Sequence, residues 1–186
     1  MKKILTFLGI ITLIGTSATS LVACDNIAEY TPEELKHLKK ENQINTTNKN
    51  IKDNLEWIAP QEKPFNQIDD KYYFVVWRNN SGSKWIITKF KNDTETSKEN
   101  GKRKIVISED GLDKLFILME TEEPFKGTFK KYSKDVAVTV LEGSSKFIKK
   151  FSKPPYKNYF KSVYRWNLDT STPYLVVDKD GSIKVN

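Results

Sequence analysis

Two residue types that carry much of protein chemistry occur once each in this 186-residue chain: cysteine, at Cys24, and histidine, at His37. One thiol has no disulfide partner within the chain, and one Cys with one His cannot build a zinc site of the Cys/His kind. Hydrolysis through a histidine base loses its usual agent, and His37 stands beside Lys36 as a solvated surface residue. Carboxylates remain. Glycoside hydrolysis needs two acids roughly 5–9.5 Å apart, and the pairs on offer are Asp69-Asp70, Glu122-Glu123 and Asp178 with Asp180. The first opens a region of strand patterns and the others flank turn signals, so all three read as solvated loops. Asp178-Lys179-Asp180-Gly181 does not fit a calcium loop, because its glycine comes fourth rather than sixth. No Gly-x-x-x-x-Gly-Lys or Gly-x-Gly-x-x-Gly phosphate loop is present. The expectation is a non-enzyme that uses no metal and no cofactor, with a carboxylate-dependent hydrolase as the weakest alternative.

Cys24 has a chemistry of its own. Met1-Lys2-Lys3 is a positive start, Ile4 to Ile14 is apolar apart from Thr6, Gly9 and Thr12, and Gly15 to Ser20 is small and polar. That three-part pattern is a secretory signal, too short to span a bilayer as a stable helix. Leu21-Val22-Ala23-Cys24 then resembles the bacterial lipobox at all four positions. The resemblance implies cleavage before Cys24 and a diacylglycerol on its sulfur. Two acyl chains hold a protein at a membrane, where one chain, at about 0.8 kcal/mol per buried CH₂, is marginal. Lysine outnumbers arginine 28 to 3. With Met-Lys-Lys-Ile-Leu, Lys71 to Arg78 (KYYFVVWR) and Val163 to Leu168 (VYRWNL), the chain looks like the surface lipoproteins of wall-less bacteria of the spiroplasma type, the mollicutes. This implies a lipid-anchored protein on the extracellular face of the cell membrane, and supplies no catalytic residue.

Charge layout is the other signal. Six acids and one lysine lie between Glu109 and Glu123; ten lysines and one arginine against two acids lie between Lys126 and Arg165. Eight aromatic residues interleave with that basic segment. Lysines that follow phosphates and rings that stack on bases suit single-stranded nucleic acid or another polyanion. Lys130, Lys131, Lys149, Lys150, Lys157 and Arg165 are the candidate contacts. Trp77, Trp85 and Trp166 are candidates for an aromatic platform that would hold glycans; the competing expectation is that they fill the core.

The elements that would position these residues divide the chain into three: 1–23, a signal peptide; 24–70, a lipidated N-terminus and flexible tether; and 71–186, an extracytoplasmic domain. Within the tether, Thr31-Pro32-Glu33-Glu34 predicts a capped helix, and the Asn- and Lys-rich stretch 41–54 reads as disordered. Leu55, Trp57 and Ile58 are apolar enough to dock. Beyond residue 70, strand patterns fall at 72–77, 84–91, 104–108, 136–141, 146–151, 159–166, 174–177 and 183–185, with turns at Asn79–Gly82 and Asp178–Gly181. Residues 108–123 fit either a helix or a hairpin through Asp110-Gly111, and the acids at 120, 122 and 123 disfavour the helix. Val76-Trp77-Arg78-Asn79 is echoed by Val163-Tyr164-Arg165-Trp166. The expected fold is mainly β, or α+β: an antiparallel sheet, sandwich or small barrel. The expected function is a membrane-anchored binding or adhesion module for a host surface component, with capture of nucleic acid or another polyanion as the alternative.

Overall fold

The computed structural model describes residues 29–93, 105–110, 113–122, 131–142, 144–153 and 155–186. The signal segment, Leu21, Val22, Ala23, Cys24 and Lys130 lie outside the described residues. Two short helices and ten strands follow one another: α1 (Pro32–Glu41), α2 (Lys49–Asn54), β1 (Leu55–Trp57), β2 (Tyr72–Trp77), β3 (Ile86–Lys91), β4 (Ile105–Asp110), β5 (Asp113–Glu122), β6 (Lys131–Glu142), β7 (Ser145–Lys150), β8 (Phe160–Trp166), β9 (Leu175–Val177) and β10 (Ile183–Val185). All pairings are antiparallel. The strands form one sheet in the order β1-β8-β2-β3, a second in the order β4-β5-β6-β7, and a separate β9-β10 hairpin. The fold is mainly β with no closed barrel among the described residues. The region that fitted helix or hairpin is the β4–β5 hairpin, closing at Asp110 and Asp113.

The two sheets share one core. Tyr73, Val75 and Trp77 of β2 meet Leu115 and Ile117 of β5 and Val136, Val138 and Val140 of β6, with Ile58, Phe65 and Phe160. Residues on the intervening positions serve a different cluster. Phe74, Tyr164 and Trp166 pack with Ile44, Ile51, Leu55 and Leu175 on the far side of the first sheet. A strand alternates its side chains between faces, so the unbroken apolar run of β2 follows from burial on both.

The second cluster corrects the disorder expected at 41–54 within the tether of 24–70. Ile44 and Ile51, isolated among Asn, Thr and Lys, are buried. The Asn48 side chain caps α2 by accepting from Ile51 N at 3.2 Å. The Tyr164 hydroxyl donates to the Asn42 carbonyl at 3.0 Å, and Asn167 N donates to the Asn54 carbonyl at 2.9 Å. Leu55, Glu56 and Trp57 then add β1 to the edge of the sheet beside β8. The stretch therefore supplies a strand and a layer of the core. The helix start behaves as expected: Thr31 Oγ1 accepts from Glu34 N at 3.3 Å, and the Glu34 carboxylate accepts from Thr31 N at 2.9 Å. No residue of α1 is fully buried; Lys39 pairs with Glu56 and Glu62, Tyr30 exchanges hydrogen bonds with Gln61, and Leu35 and Leu38 are half-buried.

Candidate anion-binding surface

Where β2 ends and β3 begins, the turn at 79–83 brings Arg78 beside Trp85. The turn is built by Asn80, whose carbonyl accepts from Ser83 N and whose side chain accepts from Gly82 N, both at 3.0 Å. Trp77 pairs with Ile86 in the ladder, so Arg78 and Trp85 are the next positions outward. The guanidinium carbon lies 4.2 Å from the centre of the Trp85 ring, a cation–π contact worth about 0.5–1 kcal/mol where exposed. Arg78 Nε donates to the Asn158 carbonyl at 2.7 Å, and Arg78 N donates to the Tyr159 carbonyl at 2.9 Å. No carboxylate pairs with Arg78 among the described residues.

Trp85 also meets the turn between β9 and β10. A Cβ at Gly181 would lie 3.0 Å from Cδ1 and Nε1 of Trp85 and 2.9 Å from Cγ of Lys161, and Gly181 has φ +85°. Only glycine suits both that backbone and that approach. Lys161, Lys84 and Lys157 are exposed around this point. The acid beside them, Asp180, has its carboxyl held below the usual range by bonds from Ser182, with Lys161 adding to the effect. Across Tyr159 the surface continues onto β7: Lys149 Nζ lies 5.6 Å from the Tyr159 ring and 5.2 Å from the Phe147 ring. Cations and accessible rings thus run from Trp85 and Arg78 to Lys149 and Phe147, across the buried Tyr159, over the junction of the two sheets.

The six expected cationic contacts do not share one face. Lys149 and Lys157 belong to this surface. Lys150 follows Lys149 on a strand and so faces the opposite way; its neighbour there is Asp135, whose carboxyl burial pushes up to about 6 against the bonds from Ser152. Lys131 has a described place on β6 only. Arg165 is excluded, because it pairs with Glu56 at 2.7 Å and lies 3.9 Å from Asp69. Trp77 and Trp166 are excluded as aromatic contacts at 0% and 1% exposure. They face the two core clusters, and the Trp77 indole N–H donates to buried Thr88 at 2.9 Å. Trp85 alone of the three is partly exposed.

The carboxylates meet in a place the sequence reading missed. Lys39 of α1 pairs with Glu56 and, at 2.6 Å, with Glu62. Glu56 also accepts from Arg165 at 2.7 Å and from Asn167 at 3.2 Å. Asp69 accepts from the Tyr73 hydroxyl at 2.6 Å. Burial works against the charge of Glu56, yet its bonds with Lys39 and Asn167 and the nearby Arg165 hold its carboxyl below the usual range. Burial likewise opposes the charge of Lys39, and Glu56 and Glu62 raise it regardless. A general acid must hold a proton near neutral pH, so Glu56 cannot act as one. The cluster is a clasp that ties α1 to the sheet edge. Two of the three carboxylate pairs have structural duties too: Asp70 takes φ +57° at a turn, and Asp178 pairs with Lys184; of Glu122-Glu123, Glu123 lies outside the described residues. His37 is exposed on α1, 3.5 Å from Glu41.

Among the described residues no helix is long and apolar enough to cross a membrane. No protein-family model, no curated protein and no solved structure matches the chain.

Proposed function

We propose that this protein is a surface lipoprotein, held to the extracellular face of the cell membrane by a diacylglycerol on Cys24, that works by binding an anionic ligand rather than by catalysis. The observation that carries the reading is Arg78: a guanidinium stacked on a partly exposed tryptophan, with no carboxylate partner among the described residues, beside Lys84, Lys157 and Lys161. Its Nε is spent on a backbone carbonyl, which fixes the plane of the fork and leaves the Nη donors for a phosphate, sulfate or carboxylate. Lys149 and the exposed Phe147, beyond the buried Tyr159, extend the surface for a polymer such as extracellular nucleic acid or an anionic host glycan.

Two measurements test it. Mass spectrometry of the membrane-extracted protein gives a chain beginning at lipidated Cys24; an unmodified Cys24 in membrane-bound protein ends the anchor claim. Titration of the full chain in mild detergent with single-stranded DNA, and separately with heparin, quenches Trp85 fluorescence saturably, and the affinity falls as salt rises from low to physiological concentration. Arg78→Ala weakens that binding about tenfold or more. Wild-type protein that binds neither polymer at low salt refutes the anionic-ligand reading.

A further inference from the structure

A recess lies at the other end of β2, between the helical segment and the β1 edge. It is an open groove of about 380 Å³ whose lining includes Lys40, Gln43, Lys52 and Asp53 on one side and Trp57 and Asn167 on the other. Leu55 and the Lys39–Glu56 pair also line it. Several of these groups are already committed. Glu56 serves Lys39, Arg165 and Asn167, Lys39 serves two glutamates, and the Gln43 amide donates to the Lys52 carbonyl at 2.9 Å. The Lys40 and Lys52 ammonium groups, the Asp53 carboxylate and the half-buried Trp57 have no bonded partner among the described residues.

We propose that this groove binds an acidic saccharide of about one or two rings. A lining this polar does not suit an apolar ligand. A polyphosphate would set several negative charges against Asp53 and Glu56, where a carboxylated sugar sets one. The volume lies at the low end for ligand sites, roughly 300–1,000 Å³, which excludes a folded polymer. The uncommitted groups fit a carboxylated sugar: its C–H face against Trp57, its carboxylate with Lys40 and Lys52, and its hydroxyls between Asp53 and the amides of Gln43 and Asn167. The folded N-terminal segment, on this reading, supplies half of a binding site. The proposal does not depend on the Arg78 surface.

The test uses the isotope-labelled full chain, with glucuronic acid and its neutral counterpart glucose as probes up to millimolar concentrations. Glucuronic acid shifts the Trp57 indole N–H resonance saturably and leaves those of buried Trp77 and Trp166 in place; glucose binds about tenfold more weakly. Trp57→Ala abolishes binding, and Lys40→Ala with Lys52→Ala brings glucuronic acid down to the level of glucose. Because both lysines are exposed, the double variant decides the matter even where Trp57→Ala fails to fold. Arg78→Ala leaves saccharide binding unchanged, which separates failure here from failure of the polyanion reading. The proposal is overturned by the absence of any Trp57 shift with glucuronic acid, or by undiminished binding in the double lysine variant.

Discussion

Ile44→Ala distinguishes a folded N-terminal segment from a spacer. Ile44 is 3% exposed and belongs to the cluster of Leu55, Phe74, Tyr164 and Trp166. Removing a buried isoleucine to alanine costs about 2–5 kcal/mol, less where the surroundings can collapse into the space. Ile44 sits on an irregular stretch that can give way, which places the expected loss near the lower end, about 2–3 kcal/mol. For a chain of this size that lowers Tm by roughly 5–10 °C. The stretch unfolds with the sandwich because α2 runs directly into β1, and releasing Ile44 and Ile51 also uncovers Leu55 and Trp166. Urea unfolding followed by tryptophan fluorescence reads the change as a shift in midpoint at unchanged slope. Ile148→Ala is the matched control: at 46% exposure, its change stays within about 0.5 kcal/mol. A midpoint for Ile44→Ala indistinguishable from that control would refute the docked layer. A lowered slope would show instead that the segment opens apart from the rest.

Three further outcomes follow from the charges and the turn. Glu56→Gln removes the shared carboxylate of the clasp and costs about 1–3 kcal/mol at pH 7. The folded-state carboxyl titrates below its ordinary value of 4.5, so its stabilisation is present above that pH and lost as pH falls further; acid unfolding below 4.5 is accordingly shallower in the variant. Asp135 has the opposite sign: its carboxyl is raised from 3.8 to about 6, the native state holds the proton more tightly, and stability drops as pH rises through that window. Asp135→Asn, which keeps an oxygen for Ser152 N, therefore gains roughly 1–3 kcal/mol at pH 7 and flattens the profile between those values; a variant less stable than wild type at pH 7 would contradict this. Gly181→Ala forces a side chain onto a φ of +85° against Trp85 and Lys161, costing about 1–3 kcal/mol. It also alters Trp85 emission, and an unchanged spectrum would show that the turn does not support the ring.

Local signals read correctly where the chemistry is local. The capping box of α1, the hairpin turns at Asn79–Gly82 and Asp178–Gly181, and the alternation of Val136, Val138 and Val140 each lie within a few residues of what they specify. The docked segment was illegible for a physical reason. Its attachment rests on two scattered isoleucines, on hydrogen bonds to residues more than a hundred positions away, and on Lys39 reaching Glu56 and Glu62. Composition over 41–54 averages those features into a polar stretch. The tryptophans were ambiguous because alternation assigns a face without saying what covers it, and the first sheet is covered on both sides, by β5 and β6 on one and by Ile44, Ile51 and Leu175 on the other.

The repeated aromatic-arginine pattern marks where sequence reasoning stops. β2 and β8 are antiparallel neighbours, with Tyr73 opposite Arg165 and Trp77 opposite Phe160. The ends of two such strands point in opposite directions, so Arg78 and Arg165 lie at opposite ends of the sheet. At one end β1 places Glu56 opposite Arg165, and Asp69 completes its neutralisation. At the other, no acid pairs with Arg78 among the described residues, and the loop at 79–84 returns Trp85 beside it. The second half of this contrast is local, because six residues, 79–84, link Arg78 to Trp85 and the ladder pairing of Trp77 with Ile86 sets the two opposite each other. The first half depends on a strand pairing across 109 positions, and that long-range pairing is what converts one arginine into a structural tie and leaves its counterpart with charge available for a ligand.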